Sequence, residues 1–414
     1  MRKAYISQAM NSLFFELIRV AIGTQETPST GLRAGLSRLP SHSTGSGLTP
    51  AEWEELLDMA EKQSLVGVCF AALQRLGADA DDPSLRQTQG KLGSGQEDTF
   101  ARIGMSEDLY FDWMGTAAQI NMKNELVNQQ CVELQKRLAA DGLRSCVLKG
   151  QGVATLYGEE LRGFRQSGDI DVWVDGGAPA VIKFVSKYQE IDKLDNKHLH
   201  FHCFEDTEVE LHWSPALWFG SPKNPIMQAY FDNERERQFA YRSNGLCVPT
   251  SDFQVVHQLL HVYSHYVYEG VGLRQMMDLY FAQLACAACP EGSVERAKYG
   301  VVLGLFRRLG LLRFVAATQW VLQEVFGLPE GVLLCAPDAK EGRKLLDEIM
   351  IGGNFGHHDE RNHVAGESLV RRFLRRWGRK FRMFRFDPLG TLLMPLSRLK
   401  LELWMRRVRR KYNV

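Results

Sequence analysis

The sequence lacks a hydrophobic run long enough to cross a membrane. A transmembrane helix needs about 20 consecutive apolar residues, and no segment of the 414 residues approaches that length. The apolar stretch near the N-terminus is interrupted by Glu16 and followed by Arg19, a spacing that is typical of an amphipathic helix and not of a signal peptide. We therefore expect a cytoplasmic protein without a transmembrane segment.

Cysteine pairs at metal-binding spacing are also scarce. The chain has eight cysteines, and the one close pair, Cys286 and Cys289, has no second pair to complete a four-ligand zinc site. We interpret these two residues as small members of an apolar helix. The lack of a secreted disulfide pattern is typical of a reducing compartment.

The chain as a whole has no excess of charge of either sign, since its formal net charge is +1. This balance hides an asymmetry. Residues 365–414 carry 15 basic and 3 acidic residues, a net charge of +12, and the remainder of the chain carries −11. Arg371, Arg375 and Arg379 recur at helical spacing and predict a basic helix face. We expect this basic tail either to dock on the acidic body or to contact nucleic acid or a membrane surface.

Two aspartates one residue apart form the most informative motif. Asp169 and Asp171 lead into an apolar segment that predicts a β-strand. Because side chains alternate along a strand, the two carboxylates point to the same face. Like charges this close need a compensating cation, and Mg²⁺ prefers carboxylate and phosphate oxygens. The pair therefore indicates either a site for Mg²⁺ or Mn²⁺, or an exposed acidic turn.

Two other segments favour the metal site. Upstream of the aspartates, a short apolar strand ends at Lys149 and Gly150 and leads into a helix, so the backbone of this turn can approach a phosphate. Downstream, a second alternating strand carries Glu208, Glu210 and His212 on one face. A carboxylate from that strand would complete a site for in-line displacement at phosphorus.

Together, the segments Leu-Lys-Gly, Arg-x-x-Gly-Asp-Ile-Asp-Val and Val-Glu-Leu-His-Trp resemble the nucleotidyltransferase family of the polymerase-β superfamily, in its bacterial branch of uncharacterised nucleotidyltransferases. The resemblance implies a glycine turn at Gly150, metal-binding catalytic carboxylates at Asp169 and Asp171, and a third one at Glu210. The superfamily usually places a phosphate-binding serine after the glycine, whereas this chain has Gln151.

The resemblance also implies an α+β fold class, with a small mixed β-sheet nucleotidyltransferase core flanked by N-terminal and C-terminal helical regions. We place an N-terminal helical region with flexible loops at 1–140, the core at 141–250, and a C-terminal helical region with the basic tail at 251–414. Residues 24–49 are rich in Ser, Gly, Thr and Pro and predict a loop. Thr49, followed by a proline and an early acid, predicts a helix start.

The predicted function is transfer of a nucleoside monophosphate from an NTP to an acceptor, which is a sugar, a small metabolite, a protein or RNA. The alternative is a non-catalytic nucleotide- or nucleic-acid-binding protein with the same fold. Arg165 is assigned either to the phosphates or to a surface salt bridge. The predicted nucleotide-binding residues are Lys149, Gly150, Arg165, Ser167 and Gly168.

Two groups of histidines occur at strand and helix spacing. The alternating trio at 198, 200 and 202 shares one strand face, and the trio at 257, 261 and 265 shares one helix face. Each trio is either a metal site or a set of hydrogen-bonded packing residues, and a further alternative is that His261 and His265 face the nucleotide pocket. On the following helix, Arg274 and Asp278 are four residues apart and predict an ion pair.

Overall fold

The computed structural model describes residues 2–24, 48–77, 105–191, 194–218, 221–356, 384 and 386–412. Within these residues, four helices precede the sheet: α1 Arg2–Ile22, α2 Pro50–Lys62, α3 Val66–Gly77 and α4 Glu107–Ala140. The predicted start of α2 is confirmed. The side chain of Thr49 accepts from the backbone N–H of Glu52, and the Glu52 carboxylate accepts from the N–H of Thr49, a reciprocal capping box.

Four strands form a small mixed sheet in the order β1-β2-β4-β3. Strands β1 and β2 are antiparallel, β2 and β4 are parallel, and β3 and β4 are antiparallel. The elements of the core are β1 Ser145–Val147, α5 Gln151–Ala154, α6 Glu159–Arg162, β2 Ile170–Val174, α7 Gly177–Val185, β3 His198–His200 and β4 Val209–His212. The predicted α+β fold class, with its small mixed sheet, is confirmed.

The sheet separates two buried clusters of apolar side chains. On one face, Ile170, Val172 and Val174 pack with residues of α4 and α7. On the other face, Trp173 packs against aromatic rings of the C-terminal helical region, including Phe253. Because residues of odd and even number in β2 face opposite sides, this second face is also the one that carries Asp171.

The remaining elements are mostly helical. They are α8 Asn224–Ala240, β5 Arg242–Ser243, β6 Leu246–Cys247, α9 Ser251–Tyr268, α10 Leu273–Ala287, α11 Val294–Arg308, α12 Leu312–Phe326, α13 Ala339–Gly352 and α14 Pro388–Tyr412, with 3₁₀ turns at Glu330–Val332 and Asn354–Gly356. The division into three parts stays a prediction. Buried contacts join the core to the last part, such as the Gln254 amide that donates to the carbonyl oxygen of Leu148.

Two further sequence predictions concern the basic tail and a membrane span. The predicted basic helix face at Arg371, Arg375 and Arg379 lies outside the described residues. Within the described part, no helix combines the length and hydrophobicity that a membrane span requires.

Candidate active site

Two carboxylates meet on the C-terminal-helix face of the sheet. The parallel pairing of β2 with β4 places Asp171 directly beside Glu210. The Nε2 atom of His212 lies 2.8 Å from Oδ1 of Asp171 and 3.0 Å from Oε2 of Glu210. The alternation of each strand therefore brings two of the three predicted acids, Asp171 and Glu210, to one point.

Asp169 lies one residue before β2 and is half-buried. The charge of Asp171 and, next, burial raise the pKa of Asp169, while Lys149 opposes this shift. The negative charge of Glu210 acts in the same direction as that of Asp171. Asp169 is therefore within electrostatic range of both other acids, although its carboxylate is not part of the tight cluster around His212.

Lys149 supplies the positive charge that these acids need. Its Nζ atom lies 2.6 Å from Oδ1 of Asp171, whose side chain is 1% exposed. Burial alone would lower the pKa of Lys149, but Asp171, Asp169 and Glu210 together raise it above its ordinary value. Burial likewise disfavours the charged form of Asp171, yet Lys149 and His212 hold its pKa well below the usual range. Both partners are charged at neutral pH.

The turn after β1 is shaped by two glycines. Gly150 has a φ of +52°, which side-chain-bearing residues rarely adopt. A Cβ atom on Gly152 would lie 2.1 Å from the carbonyl oxygen of Val147, so only glycine lets α5 pack this closely on β1. Between them, the Gln151 amide donates to the carbonyl oxygen of Asn124 and to Oδ1 of Asn128 in α4. Gln151 therefore holds the turn against α4.

Arg165 is buried in an ion pair with α10. Its Nε and Nη2 atoms each lie 2.7 Å from an oxygen of Asp278, and the two side chains are 3% and 4% exposed. The Tyr157 hydroxyl donates to the same carboxylate at 2.7 Å. The alternative of a surface salt bridge is thus corrected to a buried one, and contact of Arg165 with nucleotide stays a prediction. The expected pairing of Arg274 with Asp278 was wrong: Arg274 donates to the carbonyl oxygen of Gln166.

The last two predicted nucleotide-binding residues lie just before Asp169. Gly168 is exposed, and a Cβ atom there would have open space around it. The Ser167 hydroxyl is buried and has no hydrogen-bond partner among the residues described. The structure therefore brings Gly168 and Ser167 to the acidic strand, and their contact with nucleotide stays a prediction.

The donor atoms fit a divalent metal ion. One ligand atom each of Asp171, Glu210 and His212 lies within 4.8 Å of the others, and the same holds for His198, His200 and Glu210. Carboxylate oxygens suit Mg²⁺ and Mn²⁺, and imidazole nitrogens suit transition ions. The sequence analysis placed His212 on the same strand face as Glu210 but assigned it no role. The alternation of side chains along β4 was the signal for the contact between these two residues.

A cavity of about 210 Å³ opens beside Lys149. Its walls include a second lysine, Lys197, together with Trp218, Ser264 and Glu269. Burial and then the charge of Lys149 lower the pKa of Lys197. Two lysines and an aromatic ring therefore line a space beside the partner of the Asp171 carboxylate.

His257 also lines this cavity. It is buried, and its Nε2 atom lies 3.4 Å from the carbonyl oxygen of Pro215. Burial first, and then the charge of Lys149, lower the pKa of His257 to about 3; Asp171 opposes this shift and His212 adds to it. The imidazole is therefore neutral at physiological pH.

The other two histidines of the trio in α9, His261 and His265, line the same cavity. The rings of His261 and His265 are 4.2 Å apart, and Nδ1 of His265 lies 2.8 Å from Oε2 of Glu269. Among the residues described, these histidines are not part of any three-ligand cluster. The packing interpretation of this trio is the one that the geometry favours.

A protein family matches the part of the chain that contains the sheet. The model of a family described as uncharacterised nucleotidyltransferase matches residues 49–327. The chain belongs to this family. This nucleotidyltransferase match begins at the capped start of α2 and ends just after α12, so it includes the whole sheet and the turn at Gly150. No curated protein and no solved structure is significantly similar to the chain. Family membership supports nucleotidyl transfer as the general function.

Proposed function

We propose that this protein is a metal-dependent nucleotidyltransferase that moves a nucleoside monophosphate from an NTP to an acceptor hydroxyl. In the reaction, the acceptor oxygen forms a bond to the α-phosphorus, the bond from that phosphorus to the β-phosphate oxygen breaks, and pyrophosphate leaves. The observation that carries the proposal is the side-by-side placement of Asp171 and Glu210 in parallel strands, with Lys149 against them.

The residues that would hold Mg²⁺ or Mn²⁺ are Asp169, Asp171 and Glu210. Such an ion supplies positive charge that neutralises the triphosphate during in-line displacement. The fit is supported by the cluster of ligand atoms around Asp171 and Glu210. It is also supported by electrostatics, because the neighbouring acids raise the pKa of Asp169. A bound cation would stabilise the charged form of this carboxylate.

The chain's own groups orient and neutralise the substrate. Lys149 is charged and lies at the turn before α5, which supports its assignment, together with the backbone of Gly150, to contact with the β- and γ-phosphates. Burial opposes ionisation of Glu210, but His212 lowers the pKa of Glu210 below its ordinary value. Glu210 is therefore ionised and can receive the proton of the acceptor hydroxyl.

The acceptor is the open part of the proposal. The cavity beside Lys149 offers Lys197, Trp218 and Ser264 to a group bound next to the acids. A sugar, a small metabolite, a protein hydroxyl and RNA all present the required oxygen.

Label transfer tests the proposal. Purified protein is incubated with each of the four α-³²P-labelled NTPs and Mg²⁺ or Mn²⁺, with and without cell extract that supplies acceptors. We expect label to appear on an acceptor together with stoichiometric pyrophosphate. In parallel incubations with γ-³²P-labelled NTPs, no label should reach the acceptor, since the bond that breaks lies between the α- and β-phosphates. Transfer of γ-label, or of no label at all with any NTP, would contradict the proposal.

One observation favours the non-catalytic alternative. Gln151 stands where the superfamily usually has a phosphate-binding serine, and its amide is bound to α4. A nucleotide-binding protein without activity would bind NTP in equilibrium dialysis but yield no labelled acceptor. The same incubation therefore separates the two functions.

A further inference from the structure

We propose that His198, His200 and Glu210 form a second metal site, for a first-row transition-metal ion of the Zn²⁺ class, which shares Glu210 with the cluster around Asp171. The inference goes beyond the proposed function, because it concerns metal binding and holds whether or not the protein transfers nucleotides.

The sheet register creates the site. Antiparallel pairing of β3 with β4 places His200 opposite Glu210 and His198 opposite His212. Directly opposed residues project to the same face with Cβ atoms about 4.5–5.5 Å apart. Two imidazoles and one carboxylate therefore converge, and a ligand atom of each lies within 4.8 Å of the others.

One ring nitrogen of each histidine in this cluster has no hydrogen-bond partner among the described residues. The Nδ1 atoms of His198 and His200 are both buried and without a hydrogen bond among the described residues. His198 is 7% exposed, and its Nδ1 atom lies 3.3 Å from Oε2 of Glu210 without forming a hydrogen bond. A buried polar atom without a partner destabilises the folded protein. Coordination of an ion would satisfy both nitrogens at once.

The donor set selects the class of ion. Two imidazole nitrogens and one carboxylate oxygen, with further positions open, suit Zn²⁺ and similar transition ions. Mg²⁺ demands oxygen ligands, so the ion proposed for Asp169, Asp171 and Glu210 gains nothing from the two imidazoles and does not replace Zn²⁺ on them. Glu210 belongs to both clusters, so an ion held by His198 and His200 would also fix the position of Glu210 beside Asp171.

Metal titration of the full-length protein tests the inference. Protein stripped with a chelator is titrated with Zn²⁺ by calorimetry in the presence of millimolar Mg²⁺, which occupies oxygen-only sites. Co²⁺ is used in parallel because its visible absorption reports nitrogen ligands. We expect one Zn²⁺ per chain, with at least a tenfold loss of affinity and loss of the Co²⁺ absorption band in His200→Gln.

His202→Gln is the matched control. His202 is the next residue of the same alternating trio, but it is exposed and outside the three-ligand cluster, so this variant should bind Zn²⁺ as the wild type does. His198→Asn provides a second test of the site, and circular dichroism checks that each variant is folded. Equal Zn²⁺ affinity in the wild type and His200→Gln, or an equal loss in His202→Gln, would overturn the inference and indicate an adventitious ion only.

Discussion

Breaking the buried ion pair between Arg165 and Asp278 should strongly destabilise the protein, and Asp278→Asn tests this. The carboxylate of Asp278 accepts from Nε and Nη2 of Arg165 and from the hydroxyl of Tyr157, each at 2.7 Å. The substitution keeps the shape of the side chain but leaves the guanidinium of Arg165 charged and buried. Removing one partner of a buried pair costs about 3–5 kcal/mol. This is a large share of the roughly 5–15 kcal/mol that stabilises an ordinary domain.

Urea unfolding followed by circular dichroism measures this loss as a lower midpoint with an unchanged slope. Asp58→Asn is the matched control, because Asp58 forms an exposed i,i+4 pair with Lys62 at 2.6 Å and such pairs contribute about 0.3–0.5 kcal/mol. The double variant Arg165→Met with Asp278→Asn should lose less stability than Asp278→Asn alone, since it also removes the guanidinium that Asp278→Asn leaves without its carboxylate partner. A loss below about 1 kcal/mol for Asp278→Asn, close to that expected for an exposed pair, would refute the reasoning.

Three further predictions concern the site and its support. Gly152→Ala should lower the thermal midpoint by the equivalent of about 1–3 kcal/mol, because the added methyl meets the carbonyl oxygen of Val147, whereas Gly158→Ala, where a Cβ has open space, should not; equal midpoints would contradict this. Lys149→Gln should weaken binding of a fluorescent ATP analogue at least tenfold, since it removes the cation beside the carboxylates, and unchanged affinity would exclude Lys149 from phosphate contact. Burial lowers the pKa of His257 from 6.5 to about 3, so between these values the unfolded chain binds a proton that the folded chain does not. His257 therefore contributes stability that is complete above about pH 6.5 and is lost on acidification by at most about 1.4 kcal/mol per pH unit. His257→Gln should make urea midpoints at pH 7 and pH 5 more alike, and an unchanged difference would contradict the assignment.

Features set by short-range periodicity could be predicted from the sequence. Strand alternation correctly placed Asp171 and Glu210 on one face, because it depends only on the spacing of residues along each strand. The start of α2 at Thr49 was likewise predictable, since a capping box involves residues only three positions apart.

Partners that are distant along the chain could not be predicted in this way. Asp278 has Arg274 four residues before it, yet it pairs with Arg165, which is 113 residues away. The choice depends on how α10 packs on the core, and helical spacing carries no information about that. The pairing of β3 with β4 is similar: it gives His200 its position beside Glu210, and the sequence showed only that the histidines alternate.

The central claim is that Asp171 takes part in nucleotide transfer, and label transfer by Asp171→Asn tests it most directly. An amide cannot supply the negative charge that a divalent ion requires, and the apolar strand around it is unchanged. The wild type and Asp171→Asn are incubated with the α-³²P-labelled NTP that the wild type uses. Glu208→Gln is the control, because strand alternation gives Glu208 the same face as Glu210 but its side chain is exposed. We predict transfer by the wild type and Glu208→Gln, and no transfer above background by a folded Asp171→Asn. Transfer by Asp171→Asn at the wild-type rate would contradict the account.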